Sequence, residues 1–535
     1  MKLNGLGNRA YNIMFHTHTV SGIVISVALY IIFFAGAFTL FKDEFYQWEN
    51  PSARIPVVKS IDYQSVIQQI KRLYPNFEET KEIRFSPPNE EEPLLSVFGT
   101  LAKPKGKSEF VGLLYNPVSR KIQRNYPYIT TTGETLYRLH FLDQLPYAGR
   151  WIAGFVALFF LFASVTGVLI HWRNIVTKFY GFSLKGARKQ FWTNAHTVFG
   201  LIGLPFQLMY AVTGAFYLLT LLILIPAVMV LYGGDQQKIY ALIRPNEAIK
   251  LDEKAPVTTG NKSINEVLTR IEADYPGYEV SFLEIGNLNR VDALVSARIT
   301  DKKSFTGDGI VSVYMKDGKK AVEVIPGHKK YVESVIDGIA RVHFAQFGGL
   351  LLKGIYFILA LFTCFVIISG VLLWKEARNK KNYTDKQKRF HHRVTMIYLA
   401  ICLGLFPAVP LLFIAELAIP GQSVAHSSQV NTVFFLSWLL LAVAGLFMKT
   451  EARQTRFFLL SGGILSVLVP VTNGIQTNDW IWNTLNEGQQ YVLGTDLYWL
   501  FTGLGALVIY GSILRNRTTA QTEKSLQAED QVSIG

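Results

Sequence analysis

The sequence predicts a membrane all-α bundle of about eight transmembrane helices with two extracytoplasmic α+β domains, arranged as a parallel internal repeat. Three features carry that reading. Apolar runs of spanning length recur along the chain, Lys and Arg crowd alternate connections between them, and a pattern of histidines and glycines appears twice at fixed offsets.

Half of the 535 residues are hydrophobic and 17% are charged. A hydrocarbon core about 30 Å thick needs about 20 apolar residues in a helix. Such runs lie at about 20–41, 150–172, 198–224, 350–374, 395–418, 431–448, 457–472 and 493–514, the seventh short and containing Gly462 and Gly463. The first half of the chain divides into a membrane helix within 1–41, an outer domain over 42–147, a helix over 148–172, a basic loop over 173–195 and a helix over 196–231. The second half has an outer domain over 232–342, a helix over 343–375 and a basic loop over 376–393. A four-helix module over 394–514 and a tail over 515–535 follow.

The net charge of +14 is placed in a way that implies no nucleic-acid partner. Residues 173–190 hold Arg173, Lys178, Lys185, Arg188 and Lys189 with no acid, and 375–393 hold a denser set from Lys375 to Arg393. Lys449, Arg453, Arg456, Arg515 and Arg517 follow, whereas 419–430 and 473–492 contain neither Lys nor Arg. This is positive-inside bias. It puts both termini in the cytoplasm, both long insertions outside, and the lipid bilayer as the main partner. The first apolar run passes into Lys42-Asp43-Glu44 without a small-residue cleavage site, so it reads as a retained helix.

Both insertions read as α+β units. In the first, Tyr63 to Leu73 has apolar positions at helical spacing, followed by extended runs at Leu94 to Val97 and Phe110 to Tyr115 and a turn at Asn116-Pro117. The second repeats the order, with a helix around Ile264 to Ile271, strands at Ala293 to Ile299 and Ile310 to Tyr314, and a turn at Asp317-Gly318.

The duplication is clearest at histidines. His18-Thr19-Val20 leads to Gly36-Ala37-Phe38, and His196-Thr197-Val198 leads to Gly214-Ala215-Phe216, offset by 178 residues throughout. Leu139-His140-Phe141 leads to Gly167-Val168-Leu169, and Val342-His343-Phe344 leads to Gly370-Val371-Leu372, offset by 203. At about 100° per residue, His18, Gly22 and Gly36 share one helix face, as do His196, Gly200 and Gly214. A lone histidine at a membrane boundary reads as an interfacial anchor, and small-residue faces also serve helix packing. Matched histidines at both ends of duplicated helices instead suit haem. His18 and His196 fall near the inner boundary, His140 and His343 near the outer one. Opposed imidazoles give a six-coordinate iron for electron transfer. The two cysteines, Cys364 and Cys402, lie inside apolar runs and no CxxCH motif exists, so the expected cofactor is haem b, twice, with no metal beyond haem iron.

The chain also resembles the PepSY-associated transmembrane helix family of bacterial inner-membrane proteins. The matching stretches are Gly167 to His171, Trp192 to Val198, Leu204 to Met209 and Val342 to Gly349. The resemblance implies that the insertions are periplasmic PepSY-like domains and that the chain is similar to haem-containing reductases of ferric siderophores. His18 stands where that family commonly has Trp, two residues after His16.

The inner pair therefore keeps alternatives. His16 and His18 point about 200° apart on a helix, and register favours His18. His171 lies 31 residues after His140, about 46 Å if helical throughout, so Pro146 and Gly149 should break that run and leave His140 on a short outer helix. His171 then reaches the inner end, where its repeat counterpart is Trp374. His391-His392 read as cytoplasmic-interface residues, His328 and His426 as solvent-facing loop residues, and Glu416 and Asp496 as hydrated acids at the outer boundary.

No nucleotide-binding glycine pattern and no hydrolase motif is present. A reductase would draw electrons from quinol or a cytoplasmic flavoprotein and pass them to a ferric siderophore or ferric chelate; its catalytic residues are not identified by the sequence. Two other functions compete: a haem-free membrane protein whose outer domains bind or regulate a partner, and a transporter with parallel repeats.

Overall fold

The computed structural model describes residues 7–126, 131–180, 188–235, 238, 241, 245–246, 248–421 and 425–533. Lys185 of the first basic loop lies outside the described residues. Among the described residues, the α-helices of eight residues or more are α1 (Asn8–Thr39), α2 (Lys42–Glu49), α3 (Tyr63–Leu73), α4 (Thr132–His140), α5 (Gly149–His171), α6 (Arg188–Ile202) and α7 (Leu204–Tyr232). They continue as α8 (Ile264–Asp274), α9 (Tyr331–His343), α10 (Gly349–Ala377), α11 (Asp385–Ala418), α12 (His426–Leu446), α13 (Glu451–Thr477) and α14 (Gln490–Ser533).

Among the described residues, seven helices are long and apolar enough to cross a membrane: α1, α5, α10, α11, α12, α13 and Gln490–Arg515 of α14. The run expected at 198–224 is instead two helices, α6 and α7, bent by 66° across Gly203. Gly203 is a weak helix former and Pro205 lacks the N–H that would extend the earlier helix, so the chain restarts there. Counted as one span, that bent pair makes eight. The chain is a multi-pass membrane protein with a sheet domain.

The chain divides into two compact units. One comprises Met1–Phe34, Phe162–Gly203 and Phe362–Gly535. Within it, α11 packs against α12 and α13, and α13 against α14. The seventh apolar run, short in the sequence, is the full helix α13, and its glycines are contact points. A Cβ on Gly462 would lie 2.3 Å from the Phe406 ring, and one on Gly463 would lie 3.3 Å from the Gly503 carbonyl. Three sequence expectations are corrected here. Glu416, Asp496 and His426 are buried rather than hydrated. His426 Nε2 lies 2.8 Å from Glu416 Oε1, and Asn473 Nδ2 donates to Asp496 Oδ2 at 2.8 Å, partners that compensate lost water.

The other unit comprises Ala35–Leu161 and Leu204–Leu361. The insertions, read from sequence as two α+β units, contribute four strands each to one sheet. The strands are β1 (Ile83–Ser86), β2 (Leu95–Lys103), β3 (Lys107–Asn116), β4 (Lys121–Tyr126), β5 (Glu279–Gly286), β6 (Leu294–Thr300), β7 (Asp308–Tyr314) and β8 (Lys320–Val324). Their order is β4-β3-β2-β1-β5-β6-β7-β8. The halves join antiparallel at β1 and β5, with Phe85 opposite Leu283 and Arg84 opposite Glu284. Pairing these strands removes two open edges and merges their apolar residues. Phe85, Ile83, Leu283 and Ile285 lie in one core with Val66, Ile67 and Ile70 of α3 and Val267 and Ile271 of α8.

Candidate functional site

In the first unit, α1 places His18 and α6 places His196 with ring centroids 6.2 Å apart and planes at 72°. Both rings are fixed from behind. His18 Nδ1 lies 2.9 Å from the Ala163 carbonyl of α5, and His196 Nδ1 lies 3.0 Å from the Val366 carbonyl of α10. A carbonyl only accepts, so each Nδ1 carries the proton and each Nε2 keeps its lone pair. Ser369 Oγ, 3.1 Å from His196 Nδ1, agrees, because its own hydrogen goes to Val366 O at 2.8 Å. Glycines set the fit. A Cβ on Gly167 would lie 3.1 Å from His18 Cε1, and one on Gly370 would lie 3.2 Å from His196 Cε1.

The alternatives at this end separate. His16 is exposed, with its ring edge-on to Phe15 at 6.0 Å, whereas His18 faces His196. His171 is half-buried at the last residue of α5, one turn beyond Gly167. The Gly22 and Gly200 positions, read as part of a close-approach face, have no close neighbour: nothing lies within 4 Å of a Cβ at Gly22, and only Val366 at 4.0 Å at Gly200.

In the second unit, His140 ends α4 and His343 ends α9, with ring centroids again 6.2 Å apart and planes at 51°. The break expected between His140 and the next span is present: α4 stops at His140 and α5 begins at Gly149. A Cβ on Gly149 would lie 1.8 Å from the Leu142 carbonyl, so the turn admits only glycine there. His343 Nδ1 lies 2.7 Å from Thr213 Oγ1, whose hydrogen is committed to Met209 O at 2.8 Å, so Nδ1 donates and Nε2 is again the free base. Burial pushes the His343 pKa down to about 3, and the neighbouring His140 adds to that shift. Tyr210 donates its hydroxyl to the His343 carbonyl at 2.8 Å, and its ring lies 4.9 Å from the imidazole. Gly36 accommodates His140: a Cβ there would fall 2.5 Å from Nδ1.

Two buried charge arrangements hold the helices that end in these histidines. Glu49 Oε2 accepts from the backbone N–H groups of Thr131, Thr132 and Gly133 at 3.2, 2.7 and 3.4 Å, capping the start of α4. On α9, Asp337 pairs with Lys329 and Arg341, and Arg341 reaches Asp308 of β7 at 3.1 Å. Sequence reasoning missed Glu49, Thr213 and Ser369. A signal for the last two existed: a hydroxyl residue directly precedes the repeat glycine in Thr213-Gly214 and Ser369-Gly370.

The arrangement offers two pairs of neighbouring imidazoles, with His18, His196 and His343 each oriented through Nδ1 by a hydrogen bond. Metal-ligating histidines typically show such a bond.

The description "PepSY-associated TM region" matches residues 15–377. The chain is also similar to the Uncharacterized protein PA4219 of Pseudomonas aeruginosa, 22% identical over 416 residues, covering 72% of this chain and 96% of that one. Residues 15–377 include all four histidines of the two pairs, the bent helix pair and every strand of the sheet. The chain belongs to the PepSY-associated TM region family.

Proposed function

We propose that this protein is a b-type electron-transfer protein of the bacterial inner membrane, holding two haems and reducing a ferric siderophore or similar ferric chelate on the periplasmic side. The observation that carries the reading is the shared spacing of the histidine pairs. Metal–imidazole bonds are about 2 Å long, so two rings ligating one ion from opposite sides have centroids about 6 Å apart. Both pairs have 6.2 Å. Among the described residues no group of three or more His, Cys, Asp and Glu could hold a metal. A donor set of two imidazoles and nothing else would suit haem, which would bring its remaining ligands with it.

His18 and His196 would hold the inner haem, His140 and His343 the outer one. Bound haem would supply a one-electron couple there. The protein's part is to orient the imidazoles through Ala163, Val366, Ser369 and Thr213, to keep Nε2 deprotonated, and to exclude water with Tyr210 and Tyr217 around His343. Positive-inside bias supports cytoplasmic termini and a periplasmic sheet formed from two PepSY-like domains of a parallel repeat. Reduction releases the metal because Fe(II) binds hard-oxygen chelators far more weakly than Fe(III).

The substrate assignment is tested by reducing the purified protein with one equivalent of dithionite per haem and adding a ferric siderophore under anaerobic conditions. The α band should be lost as a ferrous chelator outside the protein colours. A reduced spectrum that persists for minutes after the addition counts against ferric siderophore as the acceptor.

A further inference from the structure

An aromatic cluster lies one helical turn beyond the inner pair. Helix α10 provides the Val366 carbonyl, Ser369 and Gly370 that seat His196. Four residues later it presents Trp374, about 6 Å further along the axis and about 40° away on the same face. There the apolar run ends and the basic loop begins.

Trp374 meets His391 of α11 edge-on at 4.9 Å, and Tyr383 meets the same imidazole at 6.1 Å. The Arg378 guanidinium covers the Trp374 ring at 4.5 Å. Beside them the exposed Phe390 ring flanks His391. Within this aromatic surround, His391 Nδ1 is buried and has no hydrogen-bond partner among the described residues. An interfacial anchor would keep that nitrogen in water or on a backbone carbonyl. A buried polar atom without a partner costs on the order of 1–3 kcal/mol, so it marks a place for a group that brings a hydroxyl.

We propose that this cluster binds the headgroup of a membrane quinol and is where electrons reach the inner pair; this rests on the electron-transfer reading above. A quinol matches each element: a flat ring for Trp374 and Tyr383, a hydroxyl to donate to His391 Nδ1, and an isoprenoid tail that leaves past Phe390 into lipid. The quinol loses two electrons and two protons and departs as quinone. Its two electrons would pass one at a time to the haem that His18 and His196 would hold. One proton passes to His391 Nδ1 and the other to water, beside the His392–Glu451 contact of 3.4 Å.

The test uses the full chain in lipid nanodiscs. Calorimetric titration with decylubiquinone reads binding without requiring haem, and stopped-flow mixing with decylubiquinol reads electron transfer. The wild type should bind the quinone and be reduced by the quinol. His391→Ala and Trp374→Leu should each weaken binding and slow reduction at least tenfold, while Trp374→Phe retains both to within about threefold. An unchanged dithionite-reduced spectrum certifies that each variant is folded. A wild type that binds no quinone, variants that bind it as the wild type does, or reduction by a reduced flavoprotein alone would each overturn the proposal. A preparation lacking haem sinks the electron-transfer reading instead, and the calorimetry still decides the site.

Discussion

The Thr213 hydroxyl lies 2.7 Å from His343 Nδ1 and has already given its own hydrogen to the Met209 carbonyl. A side chain on a membrane helix thereby fixes the tautomer of a histidine on a helix of the sheet-bearing chain segment, and Nε2 is left as the only basic nitrogen of that ring.

Thr213→Val keeps the shape and removes the acceptor. Loss of a partner of this kind costs about 10–100-fold in ligation. Haem content should fall toward one per chain on dilution, with the remaining haem unaltered in midpoint potential. Equal loss of both haems in a pyridine haemochrome assay contradicts this assignment.

Gly36→Ala should be far more damaging than its size suggests. The added methyl would sit 2.5 Å from His140 Nδ1, whereas a methyl at Gly494 meets nothing within 4 Å. The expected result is displacement of His140 and loss of about one haem equivalent in Gly36→Ala, with Gly494→Ala as the unaffected control. Wild-type haem content in Gly36→Ala would show that His140 has another route to the same position.

Glu49→Ala removes the carboxylate that accepts from three backbone N–H groups at the start of α4. Loss of an N-cap costs about 0.5–2 kcal/mol. Hydrogen exchange at the first turn of α4 should accelerate, and the outer haem alone should become labile to apomyoglobin extraction. Unchanged exchange at Thr132 and Gly133 argues against the capping role.

Glu92 supplies the pH dependence. Burial raises its pKa to about 7, with Asp43 and Glu91 adding and Lys42 opposing. The folded-state value exceeds the usual 4.5, so between those values the native state binds more protons than the unfolded one and stability falls as pH rises. The half-buried side chain loses some of this to solvent, leaving an effect on the order of 2 kcal/mol. Glu92→Gln should raise the melting temperature at pH 8 and leave it little changed at pH 4.5. A variant that gains as much at pH 4.5 as at pH 8 places the cause elsewhere.

Much of this architecture was legible in the sequence. Spanning runs, the short helix ending at His140 and the break before Gly149 follow from apolar length and from Pro146 and Gly149. The pairing of His18 with His196 and of His140 with His343 was read from register, and the ring centroids of each pair lie 6.2 Å apart. The bend at Gly203 was missed because the run on either side is continuously apolar, although Gly203 and Pro205 mark it. The single eight-stranded sheet was hidden because β1 is only four residues long, and its partner β5 lies about 200 residues away. His426 read as a loop residue because its buried partner, Glu416, is on the preceding helix. The glycines proved to seat imidazoles: Gly36, Gly167 and Gly370 each meet a histidine ring, while Gly22 meets nothing.

Each histidine pair is proposed to ligate one haem. Haem counting on the purified wild type, on His196→Ala and on His343→Ala, each expressed with ample haem supply, tests it most directly. About two b-type haems per chain are expected in the wild type and about one in each variant, with low-spin ferric signals throughout. A wild type that carries no haem, or variants that retain two, would contradict it.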